Sequence, residues 1–335
     1  MVHTLSHTEV LQCSADDMWE AVKYANVLLP TIGPDYITKS FFLEGYGEPG
    51  TIRILQLGPA VFHVKNFFSL IWLRWVTATI AGFSVGEIKE RLDKIDDANK
   101  TLSITVLEGD PRYSSYSAEI KFVPVGDTSC EAVWTATYES VGDMGPPEHI
   151  KQLIVHIFKT LEQAVLSCKT LSHTEVDLAA SPDAIWDMCK RLDESMPKYF
   201  PEFLLSSTFL KGHGEVGSIR AVKIGPVLPH LDEVRERLDC IDDANKTLGY
   251  TVLEGNPGYH YFKVTYKFVP GATAGTTDAT WTGTYIPMGD MGPPEHIKQV
   301  SIKVIKAFLN AAKDNQLAQN RLLVTQAEAG AERSA

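Results

Sequence analysis

Glycine, lysine, tyrosine and acidic residues recur in this chain at spacings that chemistry uses. Gly45, Gly47 and Gly50, and again Gly212, Gly214 and Gly217, spell G-x-G-x-x-G. That spacing cradles a pyrophosphate when a helix follows, because the helix N-terminus then faces the phosphates. Here Thr51-Ile-Arg-Ile-Leu and Ser218-Ile-Arg-Ala-Val follow, which read as strand, and no G-K-[ST] completes a P-loop. The six glycines are therefore expected to form a structural hairpin loop that needs positive φ.

Lys263 and Lys267 are amines that could form a Schiff base, but they alternate with Phe262, Val264, Tyr266 and Phe268. The pleat of a strand sends both to the polar face, whereas a Schiff-base lysine needs a desolvated one. Ser117 and Lys121 hold the matching places in the first half. Tyr138 and Tyr285 could do mild acid–base work, although a buried tyrosine reads first as a hydrogen-bonded wall. Asp143 and Asp290, each in Gly-Asp-Met-Gly, read as turn or capping residues. His149 and His296 read as solvated residues in the first turn of a helix. No catalytic residue and no metal-ligand set is assigned, and no cofactor is expected.

The bulk numbers narrow the class. Of 335 residues, 44% are hydrophobic and 22% charged, and the formal net charge is -11. This is globular composition. An acidic chain without a Lys/Arg block argues against nucleic acid as a partner. Cys13, Cys130, Cys168, Cys189 and Cys240 make no C-x-x-C pair, so free thiols in a reducing compartment are expected. The start, MVHTLSHTEV, lacks the basic and apolar regions of a signal peptide. The cytoplasm, with the nucleus as an addition, is the expected location.

The chain repeats itself. LSHTEV occurs at 5–10 and 171–176, IDDANKTL at 95–102 and 241–248, and GDMGPPEHIKQ at 142–152 and 289–299. The period is the length of a domain rather than of a solenoid unit. We expect domains at 1–168 and 169–315, with a partly disordered tail at 316–335. The offset between copies falls from 167 at Gly45/Gly212 to 146 at Ile95/Ile241, so the first copy carries 21 extra residues. They lie at about 61–81 and are apolar. Three readings are open for them: a lid, a membrane segment, or a gene-model irregularity. Arg74 in the middle of the run from Phe67 to Phe83 disfavours the membrane reading, and no membrane partner is expected.

Each copy must also position its residues. HTEVLQCS and HTEVDLAA read as opening strands. Ser14 and Ser181 look like N-caps of a short helix, and proline-bearing segments follow. Period-two alternation then predicts antiparallel strands with one apolar face. Pro146-Pro147 and Pro293-Pro294 introduce a closing helix with an apolar stripe at Ile150, Leu153, Ile154, Ile157, Phe158 and Leu161, or at Ile297, Val300, Val304, Ile305 and Phe308. The expected class is α+β: a curved antiparallel sheet wrapped around a long C-terminal helix with two short helices, present twice. A curved sheet gripping a helix leaves a cavity. Its walls in the second copy are expected to be Leu248, Tyr250, Val252, Phe262, Val264, Tyr266, Phe268, Trp281, Tyr285, Val304 and Phe308. In the first copy they are Ile104, Tyr116, Ile120, Phe122, Trp134 and Tyr138.

Leu43-Glu-Gly-Tyr-Gly-Glu-Pro-Gly-Thr-Ile-Arg53 and Leu210-Lys-Gly-His-Gly-Glu-Val-Gly-Ser-Ile-Arg220 closely resemble the glycine-rich loop of the pathogenesis-related class-10, birch-pollen-allergen-like proteins of plants. Lys89-Glu-Arg-Leu-Asp93 and Val106-Leu-Glu-Gly109, with Glu236-Arg-Leu-Asp239 and Val252-Leu-Glu-Gly255, resemble the strands that follow it. The resemblance covers both copies. It implies the helix-grip fold of the wider START-like superfamily and a small apolar or amphipathic ligand, held for transport, storage or defence. Pockets of this kind measure roughly 300–1,000 Å³. The resemblance also implies an alternative, a norcoclaurine-synthase-like condensing enzyme, whose cavity lysine is not matched here. A minor alternative is abscisic-acid-type hormone binding with phosphatase inhibition. Against its gate and latch, Gly225-Pro-Val-Leu-Pro-His230 shares only a Leu-Pro, and the latch position holds Asn256-Pro-Gly258.

Overall fold

A computed structural model describes residues 1–62, 86–143, 145–228, 231–255 and 258–332. Beyond Phe62, the insertion expected at 61–81 lies outside these residues, as do Pro229-His230 and Asn256-Pro257. The chain divides into two compact units, Met1–Cys168 and Lys169–Ala335.

The first unit runs β1 (Val2–Leu11), α1 (Ala15–Lys23), α2 (Ala25–Ile32), β2 (Ile37–Glu44), β3 (Ile52–Leu57), β4 (Glu87–Asp96), β5 (Thr101–Glu108), β6 (Tyr113–Gly126), β7 (Ser129–Ser140) and α3 (Glu148–Leu166). The second runs β8 (Lys169–Leu178), α4 (Pro182–Lys190), α5 (Leu192–Tyr199), β9 (Leu204–Lys211), β10 (Ile219–Ile224), β11 (Glu233–Asp242), β12 (Thr247–Glu254), β13 (Tyr259–Pro270), β14 (Thr277–Pro287) and α6 (Glu295–Glu332). Each sheet has seven strands, in the order β1-β7-β6-β5-β4-β3-β2 or β8-β14-β13-β12-β11-β10-β9. All pairs are antiparallel. The two short helices carry the chain from one sheet edge to the other, and the last helix lies on the face they leave.

Local chemistry sets the joints. Ser14 and Ser181 cap α1 and α4 as expected, accepting from Asp17 N at 3.1 Å and Ala184 N at 3.3 Å. IDDANKTL forms the β4–β5 and β11–β12 turns. Asp96 accepts from the Asn99 backbone at 3.0 Å and Asp242 from Asn245 at 2.9 Å. Lys100 and Lys246 then take the left-handed φ of 50° and 47°. The next aspartate ties each turn to the first helix of its unit. Asp97 accepts from Trp19 Nε1 at 2.8 Å and Lys23 Nζ at 3.0 Å. Asp243 accepts from Trp186 at 2.7 Å and Lys190 at 2.8 Å.

Gly45, Gly47, Gly50, Gly212, Gly214 and Gly217 all have positive φ. At Gly45 a Cβ would stand 2.4 Å from Thr51 Oγ1, and at Gly212 2.2 Å from Ser218 Oγ. Those hydroxyls instead accept from Gly47 N at 3.0 Å and Gly214 N at 3.1 Å. The loops spend their N–H groups internally and lead into strands β3 and β10, so the phosphate-cradling arrangement does not form.

Helix α6 runs through residues 316–332 to Glu332. Gln, Leu, Ala, Arg and Glu dominate that stretch, and no Gly or Pro interrupts it before Gly330. Strong helix formers propagate a helix that is already nucleated.

Candidate functional site

The inner face of each sheet is built by alternation. On β13, Phe262, Val264, Tyr266 and Phe268 are buried, while Lys267 is exposed and Lys263 half-buried. Cross-strand pairing sets the rows: Phe262 stands opposite Tyr285, Tyr266 opposite Trp281, and Leu248 opposite Tyr266. Val304 and Phe308 on α6 are buried, and Tyr266 meets Phe308 edge-on at 6.3 Å between ring centres. Tyr250 and Val252 are half-buried at the end of this face. In the first unit, Tyr116 pairs with Tyr138 and Ile120 with Trp134. Phe122 meets Phe158 at 6.0 Å, and Ile104 is half-buried. The residues expected as walls are thus brought to one face in each unit, against the apolar stripe of its last helix.

Three donors on these faces are buried without a partner among the described residues: Trp134 Nε1, Trp281 Nε1 and Tyr116 Oη. A buried donor left unpaired costs about 1–3 kcal/mol, and such orphans are rare in folded proteins. Burial pushes the Tyr116 phenol above its ordinary range, so it remains a donor at neutral pH.

Sequence reasoning missed the charged groups on the same faces. Arg220 on β10 and Glu236 on β11 are paired in register and project inward, both nearly fully buried. The Arg220 guanidinium holds Glu236 and also reaches Asp193 Oδ1 on α5 at 3.1 Å. It lies 5.7 Å from the Tyr250 ring centre, within reach of a cation–π contact. Burial pushes the Glu236 carboxyl up against the pull of Arg220. Tyr250 is the diagonal neighbour of Tyr266 across β12 and β13, and Tyr266 and Ser301 of α6 are both buried. The first unit keeps the ion pair as Arg53–Glu90. A signal for the pair was present: Val234-x-Glu236-x-Leu238 alternates, so a glutamate flanked by two inward residues at period two faces inward.

His149 also needs correction. It is not solvated: its Nε2 lies 3.0 Å from Asp110 Oδ2 and 2.7 Å from Arg112 Nη2. Arg112 Nε donates to both Asp110 oxygens at 2.8 and 2.9 Å, and Tyr113 stacks on the imidazole at 6.3 Å. Burial pushes the Asp110 carboxyl up, but hydrogen bonds from His149 and Arg112 outweigh it and hold the group well below the usual carboxylate range. The second unit has Asn256 and Gly258 at the matching positions, and its His296 is exposed, as expected. Asp143 and Asp290 are exposed turn residues. The five cysteines are free. No helix among the described residues is long and apolar enough to cross a membrane.

Comparison with known proteins matches both halves. Residues 78–168 match the model of the pathogenesis-related protein Bet v 1 family, and residues 169–316 that of polyketide cyclase / dehydrase and lipid transport. The chain is 34% identical over 121 residues to a protein named ribonuclease 2 from Panax ginseng, covering 35% of this chain and 77% of that one. It is 29% identical over 153 residues to pathogenesis-related protein 2 from Petroselinum crispum, covering 41% and 94%. Among solved structures, Ara h 8.0201 aligns at 22% identity and a TM-score of 0.38, covering 50% of this chain and 99% of that chain. The family-model match and the 34% identical relative, together with two antiparallel seven-stranded sheets that each grip a late helix, show that the chain belongs to the pathogenesis-related protein Bet v 1 family, known for ligand binding and defence.

Proposed function

We propose that each unit holds a small apolar or amphipathic metabolite between the inner face of its sheet and its last helix, for transport, storage or defence. The observation that carries this reading is the set of orphaned donors, Trp134, Trp281 and Tyr116, among largely apolar walls. A ligand offering an apolar body and a few acceptor oxygens satisfies both the surface and the donors. A condensing reaction is not favoured. The amines that could form a Schiff base on β13 face outward or stand half-exposed, and the inward cation of the second unit, Arg220, is engaged by two carboxylates.

The test is titration of the full chain with N-phenyl-1-naphthylamine, a neutral apolar fluorophore, alongside native mass spectrometry of protein purified from its source tissue. Saturable fluorescence enhancement and a retained, unmodified metabolite are expected. Absence of saturable binding together with a ligand-free mass would overturn the reading. Turnover of an added amine–aldehyde pair would replace it with the enzyme reading.

A further inference from the structure

The two units present different chemistry at equivalent points of the inner face. Opposite Trp134 on the neighbouring strand stands Ile120, but opposite Trp281 stands Tyr266. The fourth residue of β5 is Ile104 and that of β12 is Tyr250. The seventh residue of α3 is Ile154 and that of α6 is Ser301. Three aliphatic side chains in one unit are thus three hydroxyls in the other. The hydroxyls are not scattered: Tyr250 is the diagonal neighbour of Tyr266 across β12 and β13, Tyr266 packs on α6, the helix that carries Ser301, and Tyr266 and Ser301 are 2% and 4% exposed. A hydroxyl both donates and accepts, so this run can meet a neutral oxygen function in either role.

Charge differs at the same end. Asp193 stands seven residues after Trp186, where the first unit has Asn26 seven residues after Trp19. The cluster of the second unit therefore holds one guanidinium and two carboxylates, with Asp193 at its half-buried edge. In the first unit, Arg53 and Glu90 balance, and Asn26 accepts from Ser40. The hydroxyl of the first unit lies elsewhere, on Tyr116, where the second unit has Phe262 opposite its tyrosine.

We infer that the second unit selects an apolar ligand bearing a neutral oxygen function, a hydroxyl or carbonyl, which the Tyr250–Tyr266–Ser301 run holds, and that the excess negative charge beside it rejects carboxylates. The first unit takes a ligand with plain hydrocarbon at that point. This rests on the ligand-holding reading above. A third anion near Asp193 and Glu236 is repelled within a low-dielectric interior, whereas a neutral oxygen is not.

The experiment displaces N-phenyl-1-naphthylamine from the full chain with 2-naphthol, 2-methylnaphthalene and 2-naphthoate, which share one skeleton. Wild type is expected to prefer 2-naphthol over 2-methylnaphthalene. Tyr266→Phe, which keeps the ring, should cut that preference roughly five- to tenfold. Ser301→Ala, on the helix rather than the sheet, should cut it less, and serves if the tyrosine variant fails to fold. Asp193→Asn should strengthen 2-naphthoate binding and leave 2-methylnaphthalene unchanged. An unchanged naphthol preference in folded Tyr266→Phe and Ser301→Ala overturns this inference while leaving the proposed function intact. Wild type that binds none of the four compounds overturns both.

Discussion

The two units run the same seven strands in the same order and tie the same turn to the same helix, yet their interiors and rims have diverged in opposite directions. The second unit carries its polarity deep, in Arg220, Glu236, Asp193, Tyr250, Tyr266 and Ser301. The first keeps the Arg53–Glu90 pair inside and adds a cluster at the start of its last helix, where Asp110, Arg112 and His149 join the β5–β6 loop to α3. Scaffold positions were kept because a turn or cap admits few residues, as at Asp96/Asp242 and Ser14/Ser181. Inner-face positions admit isoleucine in one unit and tyrosine in the other, as at Ile120/Tyr266 and Ile104/Tyr250. Function is expected to differ where the scaffold leaves that freedom.

The comparison can be broken most severely at the buried arginines. Arg220→Ala abandons two carboxylates, Glu236 and Asp193, whereas Arg53→Ala abandons one, Glu90. The first change is expected to destabilise its unit by about 3–5 kcal/mol, and the second by less. Denaturant-dependent hydrogen exchange, which assigns each peptide to its unit, measures both. Equal losses would show that Asp193 does not share the charge.

Acid should separate the units next. The Asp110 carboxyl is held below its ordinary 3.8. A depressed folded value means that its stabilisation is present above that pH and is lost as the pH falls through it. The first unit should therefore lose stability below about pH 4 more steeply in wild type than in Asp110→Asn. The second unit, with Asn256 at that position, should not respond to the variant. The readout is the midpoint of urea unfolding from pH 6 to pH 2, resolved by unit as before. Parallel acid limbs would remove Asp110 from the account.

Where the units agree, effects should be small and equal. Asp97→Ala and Asp243→Ala each remove the acceptor of a tryptophan and a lysine from the first helix of a unit. Each should lower the melting temperature slightly and by the same amount in differential scanning calorimetry. The smallest effect is expected from deleting residues 63–81. Strands β3 and β4 pair as far as Gln56↔Glu87, and Leu57 N donates to Gly86 O at 2.6 Å. The hairpin is thus closed on the near side of the insertion. The variant should melt with wild type; a clear drop would mean that the segment packs as part of the first unit.

Much of this was legible before any coordinates. Period-two alternation placed Phe262, Val264, Tyr266 and Phe268 inside and Lys267 outside, and the N-cap serines Ser14 and Ser181 located the first helices. The charged interior was not read, because Arg and Glu are taken as solvated unless parity is enforced residue by residue, as it should have been at Val234, Glu236 and Leu238. His149 was missed for another reason. Its partners come from a loop 37 to 39 residues earlier, and no local pattern records such a meeting.

The duplicated first strand bears on how the chain assembles. In β1 the segment LSHTEV pairs Leu5 with Ala136 and His7 with Trp134; in β8 it pairs Leu171 with Gly283 and His173 with Trp281. Even the hydroxyl contacts match, Ser6 with Thr135 at 3.1 Å and Ser172 with Thr282 at 3.0 Å. One strand sequence thus has two acceptor edges, and either copy satisfies either edge in the same register. Strand exchange between neighbours is the characteristic failure of tandem homologues. Refolding from denaturant, with both copies free at once, is expected to yield an exchanged fraction that cell-free translation does not, and equal yields would refute this competition. Synthesis from the N-terminus removes the ambiguity by order alone: when the edge of β7 emerges, β1 is already waiting and β8 has not yet been made.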